Sequence, residues 1–267
     1  QWSDKIMTEP IQTQCHGAIL EVTINRGKAN AIDTMTSQVL YQVLSQFNDD
    51  PELKVAIITG AGGRFFSAGW DLRAAADGEA VDADHGPGGF AGLTEFFELK
   101  KPIIAAVNGL AVGGGFELAL ACDLIIAVEH AEFFLPEVNI GMVADSGGLF
   151  HLPRRLPRPI AMEMLYSGRR LDATEALRWG LVNNVCAAED LLTCAHQLAE
   201  RICLSAPLAI QAVCEITKAT EHQSIAQAYR TLRTGSMPAY QAMLHSEDVL
   251  EGPRAFAEQR DPVWKGR

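Results

Sequence analysis

Basic residues are in short supply. Lys and Arg number 22 against 33 Asp and Glu, a net charge of −11. A surface that binds phosphate backbone needs clustered cations, so nucleic acid is not expected as a partner. Long apolar runs are missing as well, and no membrane span is expected. Residues 1–14 are polar and carry no apolar stretch of the signal-peptide kind. The six cysteines (Cys15, Cys122, Cys186, Cys194, Cys203 and Cys214) form no C-x-x-C pair. Scattered among apolar and helical patterns, they read as reduced thiols of a cytoplasmic protein. The seven histidines are also scattered and read as surface or loop residues. The glycine-rich stretches lack the Lys-Ser/Thr of a phosphate loop and the G-x-G-x-x-G spacing of a dinucleotide site.

What is present is an ordinary globular composition. Hydrophobic residues make up 48% and charged residues 21% of 267 positions. That is enough for one large domain, or one domain with an appendage. Residues 18–24 alternate as a half-buried strand. Asp33 reads as an N-cap for an amphipathic helix over 34–48. Residues 55–59, 103–107, 123–128 and 132–135 are short apolar strands, as parallel strands tend to be. Residues 73–92 read as a flexible segment, either a linker or a loop over a pocket. A helix is expected over 94–99 and another opening on Gly147-Gly148. Asp172-x-x-Glu175 resembles a capping box, and Gly180 a helix end. Beyond residue 188 only helical patterns appear, over 188–204, 207–220 and 224–244. Alternating strands and helices define an α/β class.

The stretch with chemical content runs from Val107 to Asp123. A buried strand breaks at Gly109 and again at Gly113, Gly114 and Gly115, and a buried helix follows. Three glycines expose backbone N–H groups to a ligand without Cβ contact. Helix-start N–H groups are unpaired and carry partial positive charge, so they can hold an oxyanion. Glu117 sits in that first turn among Phe116, Leu118 and Leu120. A carboxylate in such company is either paired or used, because burying it unpaired costs several kcal/mol.

Asn108 to Asp123 resembles the signature of the crotonase (enoyl-CoA hydratase/isomerase) superfamily. Residues 65–72 (Phe-Phe-Ser-Ala-Gly-Trp-Asp-Leu) resemble its other oxyanion segment. Residues 134–141 (Phe-Leu-Pro-Glu-Val-Asn-Ile-Gly) resemble the segment with its second carboxylate. The resemblance implies a spiral of ββα units over residues 1–200, carrying the acyl-CoA site. It also implies a C-terminal helical trimerisation region over 201–267, giving a homotrimer or a dimer of trimers. Glu117 and Glu137 are the implied catalytic pair, and the N–H groups of Ala68 and Gly114 the implied oxyanion donors. Lys28, Ala29, Asn30, Ala68, Gly69, Trp70, Asp71, Gly113, Phe256 and Arg260 are the implied substrate and CoA contacts. No metal and no cofactor beyond the CoA of the substrate is implied. The implied reaction is reversible hydration of an acyl-CoA, with a non-catalytic CoA-binding member of the fold as the alternative.

Residues 29–33, 86–95 and 260–267 match most closely one hydro-lyase subfamily whose acyl group ends in a trimethylammonium. For such a group, Trp70, Phe66, Phe90 and Phe96 could supply an aromatic face. Asp145, Glu95 or Asp71 could supply the counter-charge. A general short-chain hydratase is the other reading within the family. The chain departs from the common pattern at Gly27 and Ala144, where relatives often have Pro, and at Gln259, where many have Lys.

Overall fold

The computed structural model describes residues 6–8 and 10–267. Part of the N-terminal stretch read above as lacking a leader therefore lies outside the described residues. The chain divides into two compact units, residues 1–99 with 103–199, and residues 100–102 with 200–267.

The first unit opens with strands β1 (Ile6–Thr8), β2 (Ile11–His16) and β3 (Ile19–Ile24), paired antiparallel in that order. Helix α1 (Thr34–Asp49) follows, capped by the Asp33 side chain, which accepts from the Thr36 N–H at 2.8 Å. A repeating pattern then begins. Strands β4 (Val55–Gly60) and β5 (Phe65–Ser67) lead to helix α2 (Leu72–Ala76). Strands β6 (Ile103–Val107) and β7 (Leu110–Val112) lead to helix α3 (Gly114–Ala121). Strands β8 (Leu124–Val128) and β9 (Glu132–Phe134) lead to helices α4 (Gly148–Arg155) and α5 (Arg158–Ser167). A short strand β10 (Leu171–Asp172), helix α6 (Ala173–Arg178), strand β11 (Asn184–Cys186) and helix α7 (Leu191–Cys203) close the series.

In each turn the first strand joins one sheet and the second joins another. The large sheet runs β1-β2-β3-β4-β6-β8-β11 and the small one β10-β9-β7-β5. From β3 to β11 the large sheet is parallel. This is a spiral of ββα turns. Its strands β4, β6 and β8 are buried almost throughout, which is why they read as unbroken apolar runs rather than alternations. The ends of the small sheet's strands carry the glycine turns that matter below.

The second unit holds α8 (Pro207–Thr220), α9 (Ile225–Arg233), α10 (Pro238–Leu244) and α11 (Asp248–Glu258). The helix expected over 224–244 is two helices, because Gly235 takes φ +75° between them. The helix expected over 94–99 is a set of turns. There the Phe96 N–H bonds to Leu93, Phe97 to Glu95 and Leu99 to Phe96, so the chain closes short turns and not the four-residue ladder of a helix. The segment 86–93 is a fitted turn and not a linker. Gly88 to Leu93 are buried, and a Cβ on Gly92 would lie 2.3 Å from the Tyr41 nitrogen of α1. Among the described residues no single helix is long and apolar enough to cross a membrane.

Helix α3 and strand β5 meet backbone to backbone. A Cβ on Gly115 would lie 2.2 Å from the Ser67 carbonyl oxygen, well inside contact distance. Gly115→Ala is expected to destabilise the chain by about 1–3 kcal/mol in denaturant unfolding, the usual range for overpacking. A loss below about 0.5 kcal/mol would show that this approach is not tight.

Candidate active site

The site forms where the turn after β7 faces the turn after β5. Gly113 holds φ +53° and caps α3. Its N–H donates to the Phe134 carbonyl at 2.9 Å, so it is spent. The next N–H, on Gly114, has no acceptor among the described residues, and Gly114 lines the cleft. It lies at the positive end of α3, where unpaired N–H groups attract negative charge.

The facing segment departs from expectation. The Ala68 N–H donates to the Ala29 carbonyl at 2.9 Å and the Gly69 N–H to the Ser67 hydroxyl at 3.1 Å. The Asp71 N–H donates to the Ile32 carbonyl at 3.0 Å. Of this run only the Trp70 N–H is left without an acceptor among the described residues. Ala68 lines the cleft, but its amide holds the loop. The available donor is two residues further on. Gly69, at φ +80°, brings the two turns together: a Cβ there would be 2.6 Å from the Gly114 nitrogen.

Both carboxylates face this cleft. Glu117 is only 3% exposed. Its Oε1 accepts the Gly148 N–H at 2.9 Å, which leaves Oε2 to carry a proton. Burial, and then the charges of Glu137 and Asp145, push its pKa up to about 8 against the pull of the Gly148 hydrogen bond. Glu137 begins a 3-10 turn (Glu137–Ile140) after Pro136. Its Oε1 lies over Gly113, 2.5 Å from where a Cβ would stand. Its Oε2 is buried with no hydrogen-bond partner among the described residues. Leaving a buried carboxylate oxygen unsatisfied costs about 1–3 kcal/mol or more, so a structural role does not account for it. Burial, followed by the charge of Asp145, raises its pKa as well.

The cavity of about 180 Å³ is lined by Trp70, His85, Phe90, Met142, Val143 and Asp145 among others. Its lining includes three carboxylates and no Lys or Arg. The Trp70 indole N–H donates to Glu79 Oε1 at 2.7 Å, while Glu79 Oε2 accepts the Thr34 N–H at 3.1 Å. The ring is therefore tied to the start of α1. His85 packs edge-on against Phe90, with ring centroids 5.2 Å apart, and its Nδ1 lies 3.0 Å from the Ser37 hydroxyl. Sequence reasoning placed His85 among surface or loop residues with no part in the site; it does lie in a loop, but one that lines the cleft. Its position between Val81 and Phe90, in the segment following the oxyanion turn, was the available signal.

Other expected residues lie elsewhere. Asp71 does not line the cleft; its carboxylate pairs with Arg26, which also holds Asp33, and caps α2. That pairing holds the Asp71 carboxyl below its usual range against the opposing effect of burial. The Asn30 amide donates to the Ala61 and Phe65 carbonyls at 3.0 Å each, and its own carbonyl accepts from Ser67 at 2.7 Å. Asn30 thus pins the loop, and Ala29 holds Ala68 in the same way. Lys28 is exposed beside them. Phe66 is core, Phe96 stacks edge-on with Tyr41, and Glu95 is exposed away from the lining. Of the aromatic and acidic candidates for a cationic acyl end, Trp70, Phe90 and Asp145 line the cleft. Phe256 and Arg260 belong to the second unit. Phe256 is 87% exposed, and Arg260 is paired with Glu251 and Glu258.

Two protonatable acids beside two free N–H donors make a site for moving protons next to a carbonyl. The enoyl-CoA hydratase/isomerase family matches residues 14–267, and the chain belongs to it. A carnitinyl-CoA dehydratase of Citrobacter koseri is 59% identical over 261 residues, covering 98% of this chain and 100% of the relative. One from Salmonella arizonae is 58% identical, covering 97% and 100%. Among solved structures, an enoyl-CoA hydratase from Mycobacterium tuberculosis has a TM-score of 0.89 at 41% identity, covering 97% of this chain and 100% of its own. One from Bacillus anthracis has a TM-score of 0.88 at 32% identity, with the same coverage.

The burial of Glu117 has a signature in stability. The folded chain keeps a proton on Glu117 up to about pH 8, whereas an unfolded glutamate releases it near 4.5. Between those values the folded state binds the extra proton, so stability falls as pH rises. Glu117→Gln keeps the acceptor for Gly148 and removes this dependence. Its melting temperature relative to wild type is expected to climb from about pH 5 to about pH 9. A constant difference would show that Glu117 is not held protonated.

Proposed function

We propose that this chain is a hydro-lyase interconverting carnitinyl-CoA with crotonobetainyl-CoA and water. The observation that carries the reading is the pair Glu117 and Glu137, facing one cleft beside the free N–H groups of Trp70 and Gly114. In dehydration, ionised Glu137 takes the proton from the carbon next to the thioester. The electron pair moves onto the thioester oxygen, which the two N–H groups hold as an enolate. Losing one such donor typically costs about 3–4 kcal/mol. Glu117, protonated at neutral pH, gives its proton to the β-hydroxyl as the C–O bond breaks, and water leaves. Hydration reverses every step. The raised pKa of Glu117 suits the acid in this assignment.

The acyl end is proposed to sit against Trp70 and Phe90 with Asp145 as counter-charge. An anionic lining without Lys or Arg favours a quaternary ammonium over an acidic chain. The full-length identity with relatives named carnitinyl-CoA dehydratase supports the same substrate. CoA itself is proposed to pass along Lys28 and the backbone beside it. No resident cofactor and no metal is invoked for the chemistry. Residues 201–267 are proposed to build a homotrimer, or a dimer of trimers, in the cytoplasm, without nucleic acid or membrane partners.

Steady-state hydration of crotonobetainyl-CoA beside crotonyl-CoA tests the reading. A preference for the cationic substrate is expected, with Glu117→Gln and Glu137→Gln each lowering kcat by about 10²–10⁴-fold. Trp70→Leu is expected to erase about 2- to 30-fold of the preference, the reach of one cation–π contact. Equal or better use of crotonyl-CoA would make the chain a general short-chain hydratase. In the dehydration direction the rate should decline as pH rises through about 8, as Glu117 loses its proton. A rate still rising there would contradict the acid role.

A further inference from the structure

Away from the cleft, three side chains converge on the outer face of the large sheet. In the β2–β3 hairpin, Gln14 pairs with Glu21 and His16 with Ile19. Directly paired residues project to the same face, and so do residues two apart, so His16 and Glu21 share one side. Helix α7 carries Leu191, Ala195 and Ala199 as a buried stripe, and His196 stands at its edge. His196 Nε2 lies 3.0 Å from Glu21 Oε2, and His16 Nε2 lies 3.8 Å from the same oxygen. The two imidazoles meet edge-on, with centroids 4.8 Å apart. All three ligand atoms fall within 4.8 Å of one another.

We propose that His16, Glu21 and His196 form a binding site for a zinc-type divalent ion. Hydrogen bonding accounts for only one of the contacts: His196 reaches Glu21, whereas the 3.8 Å approach of His16 is too long. Metal geometry accounts for both contacts to Glu21. Bonds of about 2.1 Å in a tetrahedron set ligand atoms about 3.4 Å apart. The two measured separations bracket that value, and the third, within 4.8 Å, would shorten on binding an ion. Two imidazoles and one carboxylate are a known ligand set for Zn²⁺, and they select it over Mg²⁺ or Ca²⁺, which favour all-oxygen shells. Glu21 is mostly sheltered, with 15% of its side chain exposed, while His16 keeps 40%. The open side leaves room for water as the fourth ligand. No part of the hydration chemistry passes through this site. Its effect is to tie α7 to the β2–β3 hairpin.

The intact protein, titrated with Co²⁺ as a spectroscopic stand-in and with Zn²⁺ by calorimetry, tests the assignment. One ion per chain is expected, with a tetrahedral cobalt spectrum that lacks a thiolate charge-transfer band. Zn²⁺ should raise the melting temperature of wild type. His16→Asn, His196→Asn and Glu21→Gln should each weaken binding at least tenfold while melting like metal-free wild type. Both histidines are partly exposed, so these variants are expected to fold. Absence of binding would overturn the proposal. So would undiminished affinity in the His16→Asn/His196→Asn double variant, or a thiolate band that places the ion on cysteine.

Discussion

The arrangement depends on a place where two backbones touch without side chains between them. Gly69 lies against the nitrogen of Gly114, and Gly115 against the carbonyl of Ser67. A β-carbon at Gly69 or Gly115 would push α3 away from the turn after β5. The contact sets the Trp70 and Gly114 amides on one cleft, and it brings Glu117, three residues into α3, to the same opening. The neighbouring amides are tied down. Ala68 is bonded to Ala29, Gly69 to Ser67 and Gly113 to Phe134. Fixed donors need no reorganisation when charge develops, which is the physical basis of oxyanion stabilisation.

Two acids in one pocket repel each other, and here the environment separates them. Glu117 is the deeper, with one oxygen bonded to Gly148 and the other left for a proton. Glu137 has an orphaned oxygen and a place at the mouth of a turn that Pro136 starts. The same walls that raise both acids also shape the acyl end. In the proposed reaction Trp70 contributes twice, its backbone amide to the thioester and its ring to the rest of the acyl group. Glu79 fixes that ring from behind by bonding both the indole and the start of α1.

Much of this was legible in the sequence for local reasons. The glycine run, the Asp33 cap, the apolar strands and the Glu117–Glu137 pair depend on neighbours within a few residues, and the structure places them as expected. What escaped depends on distant partners. Whether Ala68 or Trp70 offers its amide is decided by the Ala29 carbonyl, nearly forty residues earlier. The segment 94–99 has helical composition, but its N–H groups close short turns onto Leu93, Glu95 and Phe96. Asp71 looked available for a ligand until Arg26 came to it through the fold. His85 looked like a surface or loop residue with no part in the site, because nothing local ties residue 85 to Phe90 and Ser37. The two-sheet spiral could be named only through family resemblance, since strand pairing such as β4 with β6 leaves no local trace.

The central claim is that Glu137 works at the carbon beside the thioester and Glu117 at the β-oxygen. Hydrogen exchange at that carbon separates the two roles. Carnitinyl-CoA would be incubated in deuterated water with each glutamine variant, and deuterium at the α-position followed by mass spectrometry. The account predicts that Glu117→Gln still exchanges the α-hydrogen while failing to expel water, and that Glu137→Gln does neither. Exchange surviving in Glu137→Gln and lost in Glu117→Gln would contradict it.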